Sequence, residues 1–166
     1  FESLAEAVEA ATTGNTIKML ADVDIQATGL TIPAEKTITL DLAGKTITAA
    51  NTATGHIQVN GGLTVTDTAE GGQIVSGANG TYGLIQLATA KTDAAAAFTL
   101  TAGTISAYFN TLDEDGEHPS YGITVKGNGS TVTVNGGEIY AGYMAISIHS
   151  DKSQNAVVDV NAGTVR

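Results

Sequence analysis

Hydrophobic and polar residues alternate along most of this chain, in short runs that end at glycine. Four runs share one pattern: an apolar residue, Thr or Asp, a second apolar residue, then Thr or Asn. They begin at Leu63, Phe98, Val132 and Val158, and each is followed by a Gly-x-Ile or Gly-x-Val turn. A weaker copy begins at Ile38. Alternation with a period of two predicts half-buried strands, and its recurrence predicts a repeat protein.

A second kind of alternating run lies between these copies. Its members are Ile57-Gln-Val59, Ile85-Gln-Leu87, Ile123-Thr-Val125 and Ile146-Ser-Ile148. With the strand that begins at each glycine turn, every repeat of 25 to 35 residues supplies about three short strands. Apolar side chains occupy one face of each strand, and Thr, Gln, Ser or Asp occupy the other. We therefore expect one face to be buried and the other to be solvated.

Stacked repeats pair each strand with its equivalents in the repeats before and after. The sequence thus predicts an all-β fold, a parallel β-helix of about five turns with three short strands per turn. One expected core column contains Leu63, Phe98, Val132 and Val158. We expect the glycines at the corners, where positive φ or a close backbone approach is needed. One corner contains Thr101, Asn135 and Asn161, whose side chains we expect to bond along the axis.

The first residues have a different periodicity, because Leu4, Ala5, Val8 and Ala11 or Thr12 recur at helical spacing. Ser3 is a candidate N-cap, and Gly14-Asn15 marks the stop. Residues 1–15 are therefore predicted to form a helical cap over the open end, with residues 16–166 as the coil of the same single domain. The last residues fall within an expected strand, so we expect a coil truncated at its C-terminus, from a longer multidomain chain.

Composition excludes several classes of function. The net charge is −10 with a single arginine, which opposes binding to nucleic acid or anionic lipid. No apolar run of 18 residues is present, so we expect no membrane insertion. The chain contains no Cys, which excludes disulfides, thiol nucleophiles and cysteine metal sites.

The opening of the chain resembles that of a known type of domain. The segments 1–8, 14–23 and 30–47 are similar to the start of right-handed parallel β-helix domains of the pectate-lyase-like type. Such domains occur in large surface and secreted proteins of bacteria, especially anaerobic gut inhabitants. The resemblance implies an extracellular, adhesin-like protein in which this module binds a glycan or host protein, or acts as a rigid spacer. The right-handed sense also follows from the usual handedness of parallel crossovers.

The same type of fold includes polysaccharide lyases and glycoside hydrolases, so a fragment of such an enzyme is the alternative. Family lyases use a basic residue, often Arg, and calcium held by acidic side chains. Here the single arginine is Arg166, at the end of the chain. Asp41 and Asp159 belong to strands several repeats apart, too far for a carboxylate pair, and Asp67 has the position of a turn residue. We therefore favour a non-catalytic module.

The most concentrated acidic chemistry lies in the insertion Asn110–Ser120. Its acidic residues are Asp113, Glu114, Asp115 and Glu117. Carboxylates are hard ligands, and Asp-x-Asp-Gly is typical of calcium loops, but Thr124 stands where such a loop needs Glu. A solvated acidic loop is favoured, and calcium is the one cofactor left open.

Aromatic side chains supply the other candidate contacts. Tyr140, expected to point outward, and Tyr108, at the mouth of the acidic loop, are candidates for stacking on a sugar ring. Tyr82 and Tyr121 each precede Gly and are expected to form a corner stack between successive repeats. The tentative ligand site thus combines Tyr108 and Tyr140 with the acidic loop.

Overall fold

The computed structural model of the chain describes residues 1–78, 80–90, 93–107, 120–149 and 155–166. These residues form one short helix, α1 (Leu4–Ala10), and fifteen strands. The first eight strands are β1 (Thr16–Lys18), β2 (Val23–Asp24), β3 (Leu30–Ile32), β4 (Thr37–Asp41), β5 (Thr46–Ala49), β6 (Ile57–Val59), β7 (Gly62–Thr66) and β8 (Gln73–Ser76). The others are β9 (Gly83–Leu87), β10 (Ala97–Leu100), β11 (Thr104–Ala107), β12 (Tyr121–Val125), β13 (Thr131–Ala141), β14 (Met144–Ile148) and β15 (Val157–Val165).

The strands pair in parallel and fall into three series. The first series is β1, β4, β7, β10 and the first half of β13; the second is β2, β5, β8, β11 and the second half of β13; the third is β3, β6, β9, β12 and β14. Each of the first ten strands pairs with the strand three places later in the chain. The long β13 belongs to two series, because its first half pairs with β10 and its second half with β11. β15 then pairs along β13, and β14 pairs with β12. The predicted all-β character is confirmed, and the parallel, curled sheets are compatible with a β-helix-like solenoid.

The core consists of columns of apolar side chains that run across the strands. The register places Leu63, Phe98, Val132 and Val158 opposite one another, as the repeat pattern predicts. The first three are buried, and Val158 is partly buried against the same core. Full burial of such side chains contributes about 1.5–3 kcal/mol each. The columns therefore hold successive repeats in a single register.

Glycines at the corner before the second series have the geometry that only glycine tolerates. Gly103, Gly137 and Gly163 have φ values of +91°, +73° and +88°. A Cβ at Gly137 would lie 2.4 Å from the carbonyl oxygen of Gly103, and one at Gly163 would lie 2.5 Å from that of Gly137. Positive φ and close backbone approach thus coincide, as predicted for the corners.

The predicted polar stack at this corner is present in part. Asn161 Nδ2 donates a hydrogen bond of 2.9 Å to Asn135 Oδ1 on the preceding strand. Thr101 does not continue this ladder, since its hydroxyl donates to the Val65 carbonyl at 3.2 Å. The asparagine pair links β13 and β15 where both strands bend.

The N-terminal helix forms as its sequence predicts, over a shorter span. Ser3 is the N-cap, and its hydroxyl oxygen accepts a hydrogen bond from the Glu6 N–H at 3.1 Å. The helix ends at Ala10, and its buried face includes Ala7, whereas Ala5 is exposed. Spacing of three and four residues from Leu4 selects Ala7 and Val8, so placing Ala5 on the apolar face was wrong.

The helix covers only part of the end of the coil. It packs against β3, and Lys36 Nζ donates to the carbonyl oxygens of Val8 and Glu9 at the C-terminal end of the helix. Between the helix and strands β1 and β2 lies a cleft of about 710 Å³. Leu20, at this cleft, is almost fully exposed. The cap therefore shields the third series and leaves the first strands of the other two at the edge.

Candidate functional site

Tyr140 lies on the outer face of the second series, as the alternation predicts. Its neighbour Ile139 is fully buried in the core, so Glu138 and Tyr140 point to the other side of β13. In the preceding strand, Thr104 pairs with Glu138 and Ser106 pairs with Tyr140. The ring is half-buried and lies among polar side chains on a lateral face of the coil.

The next strand brings Arg166 to Tyr140. Val165 pairs with Ile139, and the Arg166 backbone bonds to Ile139 and Ala141. The Arg166 guanidinium carbon lies 4.9 Å from the centre of the Tyr140 ring. Arg166 also forms an ion pair of 2.6 Å with Glu138, with 64% and 33% of the two side chains exposed. Because this pair faces solvent, its contribution to stability is small.

This arrangement has the chemistry of a carbohydrate contact. An aromatic ring can pack on the apolar face of a sugar, and carboxylate, guanidinium and hydroxyl groups can bond to sugar hydroxyls. We call the residues Ser106, Glu138, Tyr140 and Arg166 the lateral patch. Sequence analysis identified Tyr140 alone. The other members follow from the register, because Gly137-x-Ile-Tyr140 and Gly163-x-Val-Arg166 are equivalent segments.

The remaining predicted site residues lie outside the described part of the chain. They are Tyr108, Asp113, Glu114, Asp115 and Glu117. The segment that contains them follows Ala107, the last residue of β11, and precedes Ser120, which is buried at the start of β12. Within the described residues, no group of three or more His, Asp or Glu side chains is placed to hold a metal ion. Calcium binding by this loop stays a prediction.

The predicted equivalence of Tyr82 and Tyr121 is wrong by one residue. Tyr121 pairs with Gly83, because one more residue separates Tyr82 from the paired Ile85 than separates Tyr121 from Ile123. Tyr82 instead stacks on His56, with ring centres 5.4 Å apart, and Lys126 Nζ lies 5.1 Å from its ring. Tyr121 meets the Tyr143 ring edge to face at 5.4 Å. Tyr82 and Tyr121 thus contact different aromatic rings, His56 and Tyr143, in place of each other.

Asp41 is engaged in a turn. Its carboxylate accepts hydrogen bonds from the Ala43 N–H at 3.0 Å and from the N–H and hydroxyl of Thr68 at 3.0 and 2.7 Å. Burial acts to raise the Asp41 pKa, but the Thr68 and Ala43 hydrogen bonds and the charge of Lys18 outweigh it, so the pKa is lowered. The carboxylate therefore stays ionised, and its hydrogen bonds hold the turn in place.

Asp67 has a similar role in the neighbouring repeat. Its two oxygens accept hydrogen bonds from the Gly44 N–H at 2.7 Å and the Gly72 N–H at 2.6 Å. The first bond ties two successive repeats together, and the second closes the turn after β7. The prediction that Asp67 is a turn residue is confirmed.

The outer face of the third series departs from the expected pattern. Gln58, Gln86, Thr124 and Ser147 occupy paired positions where alternation predicts solvated side chains. All four are buried, with exposures of 8%, 3%, 1% and 9%. Strands β6 and β9 are thus buried on both faces. No pattern in the sequence distinguishes these polar positions from the half-buried threonines of the first series, so their burial was missed.

Comparison with known proteins gives no match: no family model, no curated protein and no solved structure matches this chain. The resemblance to pectate-lyase-like domains therefore stays a prediction from the opening segments. In the part of the chain that the structure describes, no helix is long and apolar enough to cross a membrane.

Proposed function

We propose that this chain is a non-catalytic module of an extracellular, adhesin-like bacterial protein. The module binds a glycan or a host protein through its lateral patch, on a rigid coil that also acts as a spacer. The observation that carries this proposal is the position of Tyr140 beside Glu138 and Arg166 on an outward strand face. A half-buried ring held by its neighbours loses little conformational freedom when it meets a ligand.

We further propose that the coil is a right-handed parallel β-helix of the pectate-lyase-like type, with about five turns and three strands per turn. The three parallel strand series support this proposal, since a coil with three faces gives three stacks of equivalent strands. The right-handed sense rests on the general handedness of parallel crossovers.

The hydrogen bonds of Asp41 and Asp67 support a binding role over catalysis. Asp41 and Asp67 are occupied by hydrogen bonds that hold turns. Glu138, the acid of the lateral patch, is paired with Arg166. A glycosidase needs one carboxyl group as acid and a second as nucleophile or base at a fixed separation. Asp41 and Asp67 are engaged in turns and do not supply such a pair.

The experiment is a glycan and extracellular-matrix array probed with the whole chain. Tyr140→Ala removes the ring of the lateral patch, and Tyr143→Ala is the matched control, because it removes an exposed tyrosine from the corner before the third series. We expect binding to be lost with Tyr140→Ala and kept with Tyr143→Ala. The same array with EDTA and with the Asp113→Asn/Asp115→Asn variant tests the acidic loop.

Each result has a distinct meaning. Binding that survives Tyr140→Ala but is lost in EDTA and in the loop variant would move the site to the acidic loop. If the chain binds to no glycan and no matrix protein on the array, the binding role is contradicted and the spacer role is left. Release of unsaturated or reducing ends from the arrayed polysaccharides would overturn the proposal in favour of an enzyme fragment.

A further inference from the structure

Among the residues that the structure describes, the buried polar column of the third series contains two side-chain oxygen atoms without a hydrogen-bond partner. They are Gln86 Oε1 on β9 and Thr124 Oγ1 on β12, and their residues are opposite each other in the register. Both side chains are more than nine-tenths buried. Buried polar groups in folded proteins nearly always have a partner, either in the protein or in ordered water.

The orientation of the two glutamine amides is fixed by the backbone. Gln58 Nε2 donates to the Gln86 carbonyl oxygen at 3.2 Å and to Asn60 Oδ1 at 2.9 Å, so the amide nitrogen of Gln58 must face these acceptors. Gln86 Nε2 then donates to Gln58 Oε1 at 2.8 Å. Rotating the Gln86 amide would set two oxygens against each other. Its Oε1 is therefore the amide atom left without a partner among the described residues.

Gln86 Oε1 is the atom of its carboxamide that is not bonded to Gln58. The two polar atoms of a carboxamide diverge, and Nε2 of Gln86 is turned toward Gln58 on β6. β12 lies on the opposite side of β9 from β6. Gln86 and Thr124 are opposite each other in the register, so both side chains lie on the outer face of these neighbouring strands. Thr124 Oγ1 also lies close to β9, since a Cβ at Gly83 would be 2.6 Å from it. A water molecule can donate to an amide oxygen while it bonds to a hydroxyl.

We propose that Gln86 Oε1 and Thr124 Oγ1 form a binding site for one internal water molecule. This water completes a polar chain parallel to the coil, from Gln58 through Gln86 to Thr124. The chain fixes β6, β9 and β12 to one another on the face opposite the apolar core. It is independent of the ligand-binding role proposed above.

The first test is direct detection of the water by NMR in the whole, isotope-labelled chain. We expect cross peaks from a long-lived water to the Thr124 methyl group and to the Gln86 side-chain amide protons. Their absence overturns the proposal. That result includes the case in which a direct hydrogen bond between the two side chains replaces the water.

The second test asks whether removal of the Thr124 hydroxyl lowers or raises the melting temperature. Thr124→Val keeps the shape of the side chain and removes the hydroxyl. If the hydroxyl holds a water, we expect the melting temperature to fall by about 2–4 °C and the water cross peaks to disappear. If the hydroxyl is unpaired, replacement by a methyl group removes a buried polar atom, so an unchanged or higher melting temperature contradicts the proposal.

Two variants control this test. Thr124→Ser keeps the hydroxyl, and we expect it to keep the water cross peaks. Thr133→Val makes the same chemical change on the half-buried outer face of the first series, where we expect little change in melting temperature. If Thr124→Val fails to fold, the cross peaks of the unaltered chain still decide the question.

Discussion

Individual carboxylates in this protein stabilise the corners between strand series. Asp41 shows this best, because backbone and hydroxyl groups of two successive repeats meet at its side chain. From the sequence, Asp41 has an outward position at the end of a strand, and nothing there indicates that it is buried. Its burial depends on Thr68, which is 27 residues away.

The lowered pKa of Asp41 leads to a pH-dependent stability. A carboxylate whose pKa is lower in the folded than in the unfolded state, where it is about 3.9, stabilises the fold fully above that value. The contribution is lost as the pH falls through the lower folded pKa. We expect Asp41→Asn to reduce the free energy of unfolding by about 1.5–3 kcal/mol at pH 7 and by much less near pH 2.

Urea unfolding of both proteins at the two pH values measures this difference. Asp159→Asn, at an exposed position of β15, is the control, and we expect it to change stability little at either pH. An equal loss of stability for Asp41→Asn at pH 7 and pH 2 would contradict the role assigned to the ionised carboxylate.

At the scale of elements, the repeating Gly-x-Ile and Gly-x-Val segments predict both the corners and the strands that follow them. Local backbone requirements make this possible at Gly103, Gly137 and Gly163, because a left-handed residue at the start of each of these segments selects glycine. In the earlier segment Gly72-x-Ile74 the left-handed glycine is Gly71, one residue before the segment. The sequence was a poorer guide to the positions of Tyr82 and Tyr121, which are not opposite each other in the register. One extra residue before Ile85 shifts the register at this corner, and strand periodicity contains no information about such a shift.

Gly71 and Gly137 have similar φ but different surroundings. Substituting each of them therefore separates the cost of a left-handed backbone from the cost of a steric clash. Gly137 and Gly71 have φ values of +73° and +83°, but a Cβ at Gly71 would meet no atom within 4 Å. We expect Gly71→Ala to cost about 1–2 kcal/mol of stability, the penalty of left-handed backbone alone. Gly137→Ala must also displace the Gly103 carbonyl, so its cost should be clearly larger.

Urea denaturation of the two variants, with the unaltered chain alongside, gives both values. Equal losses would show that the corner relaxes freely around residue 137. The close contact between successive corners would then have no part in fixing the stack.

At the scale of the whole molecule, stability comes from core columns that cross every repeat. Val134 and Val160 occupy paired positions of one column, yet Val134 is fully buried and Val160 is 52% exposed. We expect Val134→Ala to cost about 2 kcal/mol, from lost burial and the cavity left behind. Val160→Ala should cost less than about 0.5 kcal/mol.

Thermal unfolding followed by circular dichroism checks this pair, since both variants make the same chemical change. Similar shifts in melting temperature would mean that burial within the column does not control its contribution. A larger shift for Val160→Ala would contradict the assigned packing.

The sequence by itself determined the strands, the apolar faces that form the core, the glycine corners and the capped N-terminal helix. These features follow from local periodicity, backbone conformation and N-cap chemistry, all of which act over a few residues. It also identified Tyr140 as an outward ring. Only the tertiary structure placed Arg166 and Glu138 around that ring, buried Asp41 beside Thr68, and left Gln86 and Thr124 as a buried polar pair. These contacts join residues from different repeats, and the lengths of the connecting segments and the packing around each face decide them.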